Sequence, residues 1–477
     1  MRGAVAERFA RPAGRGLAAA GRALGGRDVV VVGLARSGLA ACRLLLRLGA
    51  RVLATDQKPA EQLPAEVGAL HGLGVGLELG GHTERAFTEA DLVVVSPGVP
   101  RPARHLELAR RAGVPVVGEV ELAYWCSQAP FAAVTGSNGK STTTALLGAM
   151  LREAGIPATV AGNIGIPLCG VAPDLATSHW IVAEISSFQL ETTEAFRPAV
   201  AVLLNLSPNH LDRHADLDEY YGTKARIFEA QEEGDRAVLN ADDPEVLARA
   251  QGARARRAHF SRRGPVRDGA FVADGQILLG REGRVTPVCP AAALRIPGAH
   301  NLENALAAAA AAAAIGAAPA ALAAALGAFP GLEHRLELVA TVGGVRYVND
   351  SKGTTVDAVR RSLESFSDGI VLIAGGKDKG GDFRPLTPLL RERVKALVLI
   401  GEARAKLREH LAGACAMAEA GTMEEAVRAA AARAASGDVV LLSPGCASFD
   451  MFRDFEDRGR AFKAAVALLE PGRTDDR

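Results

Sequence analysis

One segment of the chain combines an apolar strand, a glycine turn and a helix start in the order that phosphate binding requires. Residues 133–142 read Ala-Val-Thr-Gly-Ser-Asn-Gly-Lys-Ser-Thr. Backbone N–H groups of such a loop can surround phosphate oxygens, while Lys140 can reach the β- and γ-phosphates and the Ser141 hydroxyl can bind Mg²⁺. The segment therefore predicts that ATP is bound by Gly136, Ser137, Asn138, Gly139, Lys140, Ser141 and Thr142.

The match to the general phosphate-loop pattern is incomplete, because Val134 stands where that pattern has its first glycine. Three later residues can add to a metal site. Glu184 ends an apolar strand, His210 follows another apolar run, and Lys224 lies in a helical stretch. Ligands bind at the carboxyl ends of parallel strands, which favours Glu184 and His210. Taken alone, the three residues are also explained as a solvated charge, a structural histidine and an exposed helix cation.

A second glycine turn follows the first predicted strand. Val29 to Val32 run into Gly33-Leu34-Ala35-Arg36-Ser37-Gly38, and a helical stretch follows. Ala35 stands where a dinucleotide-binding fingerprint has its middle glycine, which argues against NAD. A purely structural turn is the alternative.

Composition excludes several classes of protein. A chain of 477 residues fits two to four domains. Its 55 basic and 54 acidic residues nearly cancel, so a nucleic-acid partner is not expected. The six cysteines form no Cys-x-x-Cys pair, which predicts neither a zinc site nor a disulfide framework and favours a reducing compartment.

Two segments can be mistaken for targeting or membrane sequences. The first 26 or so residues are rich in Arg, Gly and Ala and lack the apolar core of a secretory signal. We expect a ragged extension there, with an Arg-rich leader as the alternative. The apolar stretch from Ala305 to Leu326 is mostly alanine and is interrupted by Gly316 and Pro319. It therefore predicts two packed helices and no membrane partner.

Apolar, β-branched runs alternate with helical stretches in three successive parts of the chain. This alternation is typical of α/β domains with parallel sheets. We predict a Rossmann-like first domain, a central P-loop ATPase domain with a mostly parallel sheet, and a Rossmann-like third domain. The expected boundaries are an extension over 1–27 and domains over 28–118, 119–331 and 332–477.

The order of these motifs resembles the Mur ligase superfamily, which also includes the folylpolyglutamate ligases. Thr-Gly-Ser-Asn-Gly-Lys-Ser-Thr is similar to that family's own phosphate loop, which accounts for Val134. Asn163, in Gly-Asn-Ile-Gly, falls where the family places a substrate contact. The sequence departs from the family at Asn209, where Asp is expected. The resemblance implies two magnesium sites held by Ser141, Glu184, His210 and Lys224, with Lys224 as a carbamate.

Three segments of the last third resemble the D-glutamate-adding branch of this family: Asn349–Thr355, Gly375–Phe383 and Leu442–Asp450. The resemblance implies that the incoming glutamate is surrounded by Lys352, Thr354, Lys379, Ser448, Phe449 and Phe455. Cations and hydroxyls suit a dianionic amino acid. Without the resemblance, the two lysines are equally well explained as solvated loop charges.

The same resemblance assigns the two nucleotides. Asn301 and Asn304 are expected near adenine, Asp350 near the ribose and Arg335 near the γ-phosphate of ATP. The asparagines can alternatively be helix caps and Arg335 a surface ion-pair partner. The loop over 33–38 is expected to hold a uridine diphosphate group through Arg36 and Ser37, framed by Asp56, Gln57 and Ser96.

The activity implied by the resemblance is the ATP-dependent addition of D-glutamate to UDP-N-acetylmuramoyl-L-alanine. The step would belong to cytoplasmic peptidoglycan synthesis, and hence to cell wall biogenesis, cell shape and cell division. The expected catalytic residues are Lys140, Glu184, His210, Lys224 and Arg335 in a monomer. The alternatives are a folylpolyglutamate-type ligase and a nucleotide-switched binding protein without ligase activity.

Overall fold

The computed structural model describes residues 9–100, 103–209, 213–296 and 298–469. It divides into two compact units. The first comprises Met1–Arg295 and Ala299–Phe329, and the second comprises Ile296–Gly298 and Pro330–Arg477. Their strands form three sheets with helices packed on them, so the prediction of an α/β fold is confirmed. The boundaries expected between three domains stay a prediction.

The first sheet has five parallel strands in the order β3-β2-β1-β4-β5. Its apolar runs are short and buried, as in a sheet covered on both faces. The strands are β1 Asp28–Val32, β2 Arg51–Asp56, β3 Gly76–Leu79, β4 Leu92–Val95 and β5 Val116–Gly118. The helices are α1 Leu17–Leu24, α2 Arg36–Arg47, α3 Glu66–Gly72, α4 Glu84–Glu89, α5 Arg104–Arg111 and α6 Glu119–Cys126.

The second sheet also belongs to the first unit and has the order β14-β13-β12-β11-β10-β9-β6-β8-β7. Strands β6 to β12 are parallel to their neighbours, while β13 and β14 are antiparallel additions at one edge. The strands are β6 Phe131–Thr135, β7 Ala158–Gly162, β8 Trp180–Glu184, β9 Val200–Leu203, β10 Arg236–Asn240, β11 Arg256–Ser261, β12 Gly269–Ala273, β13 Gln276–Arg281 and β14 Arg284–Pro290. The helices are α7 Lys140–Glu153, α8 Ser187–Leu190, α9 Leu217–Ala225, α10 Pro244–Arg249, α11 Ala299–Ile315 and α12 Pro319–Ala328.

The third sheet lies in the second unit, in the order β15-β16-β20-β17-β18-β19. It is parallel except for β15, which pairs antiparallel with β16. The strands are β15 Glu337–Val342, β16 Val345–Asn349, β17 Ile370–Gly375, β18 Val394–Ile400, β19 Ala416–Glu419 and β20 Val439–Gly445. The helices are α13 Val356–Glu364, α14 Thr387–Arg393, α15 Arg404–His410, α16 Met423–Ala431 and α17 Phe455–Ala467.

The alanine-rich stretch forms α11 and α12, as predicted. Pro319 is the first residue of α12, where its missing N–H costs nothing. Both helices bury alanine and leucine side chains against the central sheet and α7. In the part of the chain that the structure describes, no helix has the length and hydropathy to span a membrane.

The prediction of a ragged extension is wrong for the described residues from Phe9 onward. Phe9 is buried and its ring lies 6.0 Å from that of Trp125. Arg15 donates to the carbonyl oxygen of Ala129 at 2.6 Å, and α1 buries Ala20 and Leu24. The helix was missed because its apolar face consists of few, mostly small residues, which give a weak pattern in sequence.

We expect Leu24→Ala to lower the free energy of unfolding of the first unit by about 2–5 kcal/mol, because Leu24 is fully buried. Thermal and urea denaturation measure this loss. The matched control is Arg22→Ala on the exposed side of α1, which should change stability by less than about 0.5 kcal/mol. Equal stability of both variants and the unsubstituted chain would show that α1 is not docked.

Candidate active site

The phosphate loop joins β6 to α7 and places two glycines where side chains do not fit. Gly139 has φ +83°, and a Cβ there would lie 2.1 Å from Asn304 Oδ1. A Cβ on Gly136 would lie 2.9 Å from Leu204 Cβ. Lys140 Nζ donates to the carbonyl oxygens of Gly136 at 2.9 Å and Ser137 at 3.0 Å. The Lys140 side chain therefore bonds the backbone of its own loop.

Two residues that sequence reasoning missed hold the outer side of this loop. Asn205 Oδ1 accepts from the backbone N–H of Asn138 at 2.9 Å. The Ser137 hydroxyl donates to the carbonyl oxygen of Ser207 at 3.0 Å. Both Asn205 and Ser207 follow β9, a neighbour of β6 in the sheet. The rule that polar residues gather at the carboxyl ends of strands was the signal that pointed to them.

Lys224 lies on α9 and is 1% exposed. Its Nζ donates to the carbonyl oxygen of Gly136 at 2.9 Å and lies 4.7 Å from the centre of the Tyr220 ring. Burial holds the pKa of Lys224 well below its usual value, and the charge of Lys140 lowers it further, while Glu184 opposes the shift. Both effects favour the neutral form of the amine relative to an exposed lysine.

Glu184 ends β8 beside the same loop and is buried. Its Oε1 accepts from Asn163 Nδ2 at 2.7 Å. Its Oε2 is buried and has no hydrogen-bond partner among the described residues. An oxygen of this kind fits a cation ligand, and the buried Ser141 adds a hydroxyl at the start of α7. The predicted ligand His210 lies outside the described residues.

Asn301 and Asn304 lie inside α11 and contact each other across one turn. Asn304 Nδ2 donates to Asn301 Oδ1 at 3.2 Å, and the Thr143 hydroxyl donates to Asn304 Oδ1 at 3.3 Å. With Gly139 also against Asn304, the pair lies beside the phosphate loop. The structure thus brings together the predicted ATP contacts of the first unit.

The loop between β1 and α2 is held by two residues predicted to contact the uridine group. Asp56 Oδ2 accepts from the backbone N–H of Leu34 at 2.8 Å. The Ser96 hydroxyl donates to the carbonyl oxygen of Gly33 at 2.6 Å. Gly33 has φ +86°. These contacts fix the loop, so Asp56 and Ser96 anchor the backbone there.

Three other predicted uridine contacts are placed differently. Arg36 lies at the start of α2, and its guanidinium donates to the carbonyl oxygen of Gly165, two residues from Asn163. Ser37 is half-buried and Gln57 is exposed. The arginine therefore links the first-sheet loop to the segment that carries Asn163.

In the second unit, Asp350 follows β16 and is buried. Its Oδ2 accepts from the hydroxyls of Ser362 at 2.6 Å and Ser443 at 2.8 Å, and its Oδ1 accepts from the N–H of Leu336 at 3.4 Å. Burial raises the pKa of Asp350 to about 6, although these hydroxyls and the charge of Arg335 oppose the shift. The carboxyl group joins three segments of the unit, and its expected contact with the ribose stays a prediction.

Arg335 lies between two residues with left-handed backbone, His334 at φ +64° and Leu336 at φ +44°. Such conformations are costly for non-glycine residues and persist only where surrounding contacts fix them. The fixing contacts include the Leu336 N–H to Asp350 and a hydrogen bond between Asn349 Nδ2 and His334 Nδ1 at 2.9 Å. The backbone that carries Arg335 is thus rigidly set.

The predicted glutamate contacts form two pairs. Lys352 Nζ lies 5.1 Å from the centre of the Phe455 ring. Lys379 Nζ donates to the Thr354 hydroxyl at 3.3 Å, and partial burial lowers the pKa of Lys379. The remaining two residues are neighbours with opposite exposure, because Ser448 is buried and Phe449 is 69% exposed.

Arg458 on α17 connects the loops that carry these residues, and sequence reasoning missed it. It is fully buried. Its Nε donates to the Ser351 hydroxyl at 3.0 Å and its Nη2 to the Ser351 carbonyl at 2.9 Å, while Nη1 donates to the carbonyls of Cys446 and Ala447 at 3.2 and 3.1 Å. Burial lowers the pKa of Arg458 to about 10. Because most of its acceptors are backbone oxygens, no sequence pattern could have indicated it.

Known proteins resemble the chain over nearly its whole length. It is 48% identical over 445 residues to the UDP-N-acetylmuramoylalanine–D-glutamate ligase of Acidobacterium capsulatum, covering 93% of this chain and 96% of that protein. It is 47% identical over 448 residues to the enzyme of the same name from Pelotomaculum thermopropionicum, covering 94% and 98%. The chain belongs to the Mur ligase family. The resemblance expected from the sequence motifs is therefore confirmed.

Domain and structure comparisons agree with this membership. Residues 27–118 match the Mur ligase MurD-like N-terminal domain, 134–312 the Mur ligase middle domain and 334–446 the Mur ligase glutamate ligase domain. The crystal structure of MurF ligase from Thermotoga maritima in complex with ADP aligns with a TM-score of 0.58 at 17% identity, covering 94% of this chain and 97% of that one. At this identity the alignment shows a shared Mur ligase fold.

Proposed function

We propose that the chain is an ATP-dependent ligase that adds D-glutamate to UDP-N-acetylmuramoyl-L-alanine during peptidoglycan precursor synthesis. The observation that carries this proposal is the 48% identity, over nearly the full length of both chains, to a relative named for that reaction. The proposal includes a monomer that works in the cytoplasm on three small molecules. The geometry of each unit supports a separate part of it.

The first unit supports the ATP and uridine parts. Lys140, the glycine loop and the Asn301–Asn304 pair offer cationic and amide groups for a nucleotide triphosphate. Ser141, Glu184, His210 and a carbamylated Lys224 would hold Mg²⁺, which would neutralise charge on the phosphoryl oxygens. Arg36 and Ser37 at the start of α2 are the proposed diphosphate contacts.

The second unit supports the amino-acid part. Lys352 and Lys379, with the Thr354 hydroxyl beside them, offer two cations for the two carboxylates of glutamate. The Phe455 ring lies 5.1 Å from the Lys352 ammonium and attracts it through its π face. We assign Ser448 and Phe449 to the same substrate and Asp350 to the ATP ribose. Arg335 is proposed to act on the γ-phosphate from its rigid backbone.

The proposed reaction has two displacement steps. An oxygen of the alanyl carboxylate attacks the γ-phosphorus of ATP, and the bond to the bridging oxygen breaks, so that ADP leaves. The amine of D-glutamate then attacks the acyl carbon, loses a proton and displaces inorganic phosphate. Lys140 and Arg335 stabilise charge on the phosphoryl oxygens, and no side chain needs to act as a nucleophile.

The substrate assignment predicts that phosphate release from ATP requires both UDP-N-acetylmuramoyl-L-alanine and D-glutamate. Release and product mass are to be compared with D-glutamate, L-glutamate, diaminopimelate and no amino acid. We expect an amide product with D-glutamate alone, because the relatives that are 47–48% identical to the chain are named for D-glutamate. Equal phosphate release under all conditions would instead indicate a nucleotide-switched binding protein.

A matched pair of lysine variants tests the amino-acid contacts in the same assay. Lys379→Ala should raise the KM for D-glutamate roughly tenfold or more, since it removes a charged hydrogen-bond donor. Lys377→Ala, two residues away and exposed, should leave that KM unchanged. Equal KM values for the two variants would exclude Lys379 from the glutamate contacts.

We further propose that Lys224 reacts with CO₂ to form a carbamate. The neutral amine attacks the carbon of CO₂, an N–C bond forms, and one proton is released to solvent. The burial of Lys224 and the unpartnered Oε2 of Glu184 support a carboxylate-like cation ligand at this position.

Lys224→Ala should abolish ligation, and added acetate or bicarbonate should restore part of it by occupying the vacated position. The control is Lys140→Ala, whose activity small carboxylates should not restore because Lys140 acts as a cation. Incubation with ¹³C-bicarbonate should also give a carbamate carbon signal in the unsubstituted chain and none in Lys224→Ala. Ligation at the normal rate by Lys224→Ala would remove the carbamate from the reaction.

A further inference from the structure

Arg213 forms a buried ion pair with Glu191 and also donates a hydrogen bond to the loop that follows β4. Its Nη2 and Nε donate to the Glu191 carboxylate at 2.7 and 3.1 Å. The same Nη2 donates to the carbonyl oxygen of Val99 at 2.9 Å. The two side chains are only 12% and 5% exposed.

The surroundings of the pair fix its geometry. The Phe188 ring lies 4.4 Å from the guanidinium carbon of Arg213. His214 Nε2 lies 3.2 Å from the Ser187 hydroxyl and 3.8 Å from Glu191 Oε1. Burial lowers the pKa of His214, while Arg213 makes a two-pronged charged contact with the Glu191 carboxylate. A bidentate arginine buried in this way has one available orientation.

Through Val99, Arg213 is connected to the loop proposed to bind uridine diphosphate. The Val99 N–H donates to the carbonyl oxygen of Ser96, whose hydroxyl in turn donates to Gly33. The Val99 side chain also packs on Gly33, because a Cβ added to Gly33 would lie 2.9 Å from Val99 Cγ2. Any shift of Val99 is therefore passed to the first turn of that loop.

Through Glu191, Arg213 is connected to the segment that follows Glu184, one of the proposed metal ligands. Glu191 ends α8, which begins three residues after Glu184 and is held by a capping box between Ser186 and Gln189. Arg213 itself precedes α9, the helix that carries Lys224. The single guanidinium thus joins the end of α8 to Val99, within the first unit.

We propose that Arg213 is a positioning residue that sets the distance between the uridine-linked acceptor and the phosphate loop. This inference rests on the proposed function. The acceptor carboxylate is attached to the uridine diphosphate, so its approach to the γ-phosphate depends on how the two loops are spaced. Arg213 connects the two sides because it bonds both Val99 and Glu191.

Arg226 provides a matched control. It also bonds the segment after α8, donating to the carbonyl oxygens of Glu191 at 3.0 Å and Thr193 at 2.5 Å. None of its described hydrogen bonds reaches the first sheet. Loss of Arg226 therefore removes hydrogen bonds to the segment after α8 and leaves the bond between Arg213 and Val99 in place.

The test measures binding and ligation in Arg213→Ala, Arg213→Lys and Arg226→Ala. We expect Arg213→Ala to raise the KM and the calorimetric Kd for UDP-N-acetylmuramoyl-L-alanine roughly tenfold or more, with the KM for ATP changed by no more than about twofold. Arg213→Lys should recover part of the loss, and Arg226→Ala should show neither change. Equal effects on uridine and ATP binding, or the same effect in Arg226→Ala, would overturn the inference.

A second substitution separates positioning from stability. Arg213→Ala leaves the Glu191 carboxylate buried without its cation, which lowers stability. Adding Glu191→Gln should restore the melting temperature but leave the uridine KM raised, whereas recovery of both would show a purely structural role. Failure of the unsubstituted chain to bind the uridine nucleotide would overturn the proposed function as well, while unchanged binding in Arg213→Ala would overturn this inference alone.

Discussion

The contact between the Lys224 amine and the carbonyl oxygen of Gly136 is the interaction on which the first unit's site depends. A lysine with almost no exposed surface can be accommodated only if its amine is neutral or fully paired. Here the amine shares its acceptor with Lys140, so the two lysines meet at one carbonyl group. Their mutual repulsion and the burial of Lys224 act in the same direction and favour loss of its proton. Four elements, β6, α7, α9 and α11, must pack as they do for that arrangement to form.

Two carboxylates at strand ends accept hydrogen bonds from the protein itself. Asp56 at the end of β2 and Asp350 after β16 were both predicted to contact nucleotides. In the structure each accepts hydrogen bonds from its own surroundings, a backbone N–H for Asp56 and two serine hydroxyls and an N–H for Asp350. Their role as ligand contacts stays a prediction, and any contact must compete with these bonds.

Much of the fold could be predicted because short apolar runs bounded by turns define buried strands. The predicted strand from Val29 to Val32 agrees with β1 to within one residue. The edge strands β12 to β14 were not predicted, since their residues show no clear alternation of apolar and polar side chains. In the candidate site, the residues of the phosphate loop could be predicted because the spacing of their glycines and lysine is typical of phosphate binding. Arg458 was not found because most of its acceptors are backbone oxygens, and Arg213 was not found because its acceptors, on Glu191 and Val99, lie far away in sequence.

The central claim is that phosphate leaves from an acyl phosphate formed on the acceptor carboxylate. The most direct measurement uses UDP-N-acetylmuramoyl-L-alanine labelled with ¹⁸O in the alanyl carboxylate, together with ATP and D-glutamate. Mass analysis of the released inorganic phosphate should show one ¹⁸O atom per molecule, because the carboxylate oxygen stays on phosphorus when the amine displaces it. Amide product accompanied by unlabelled phosphate would contradict the account.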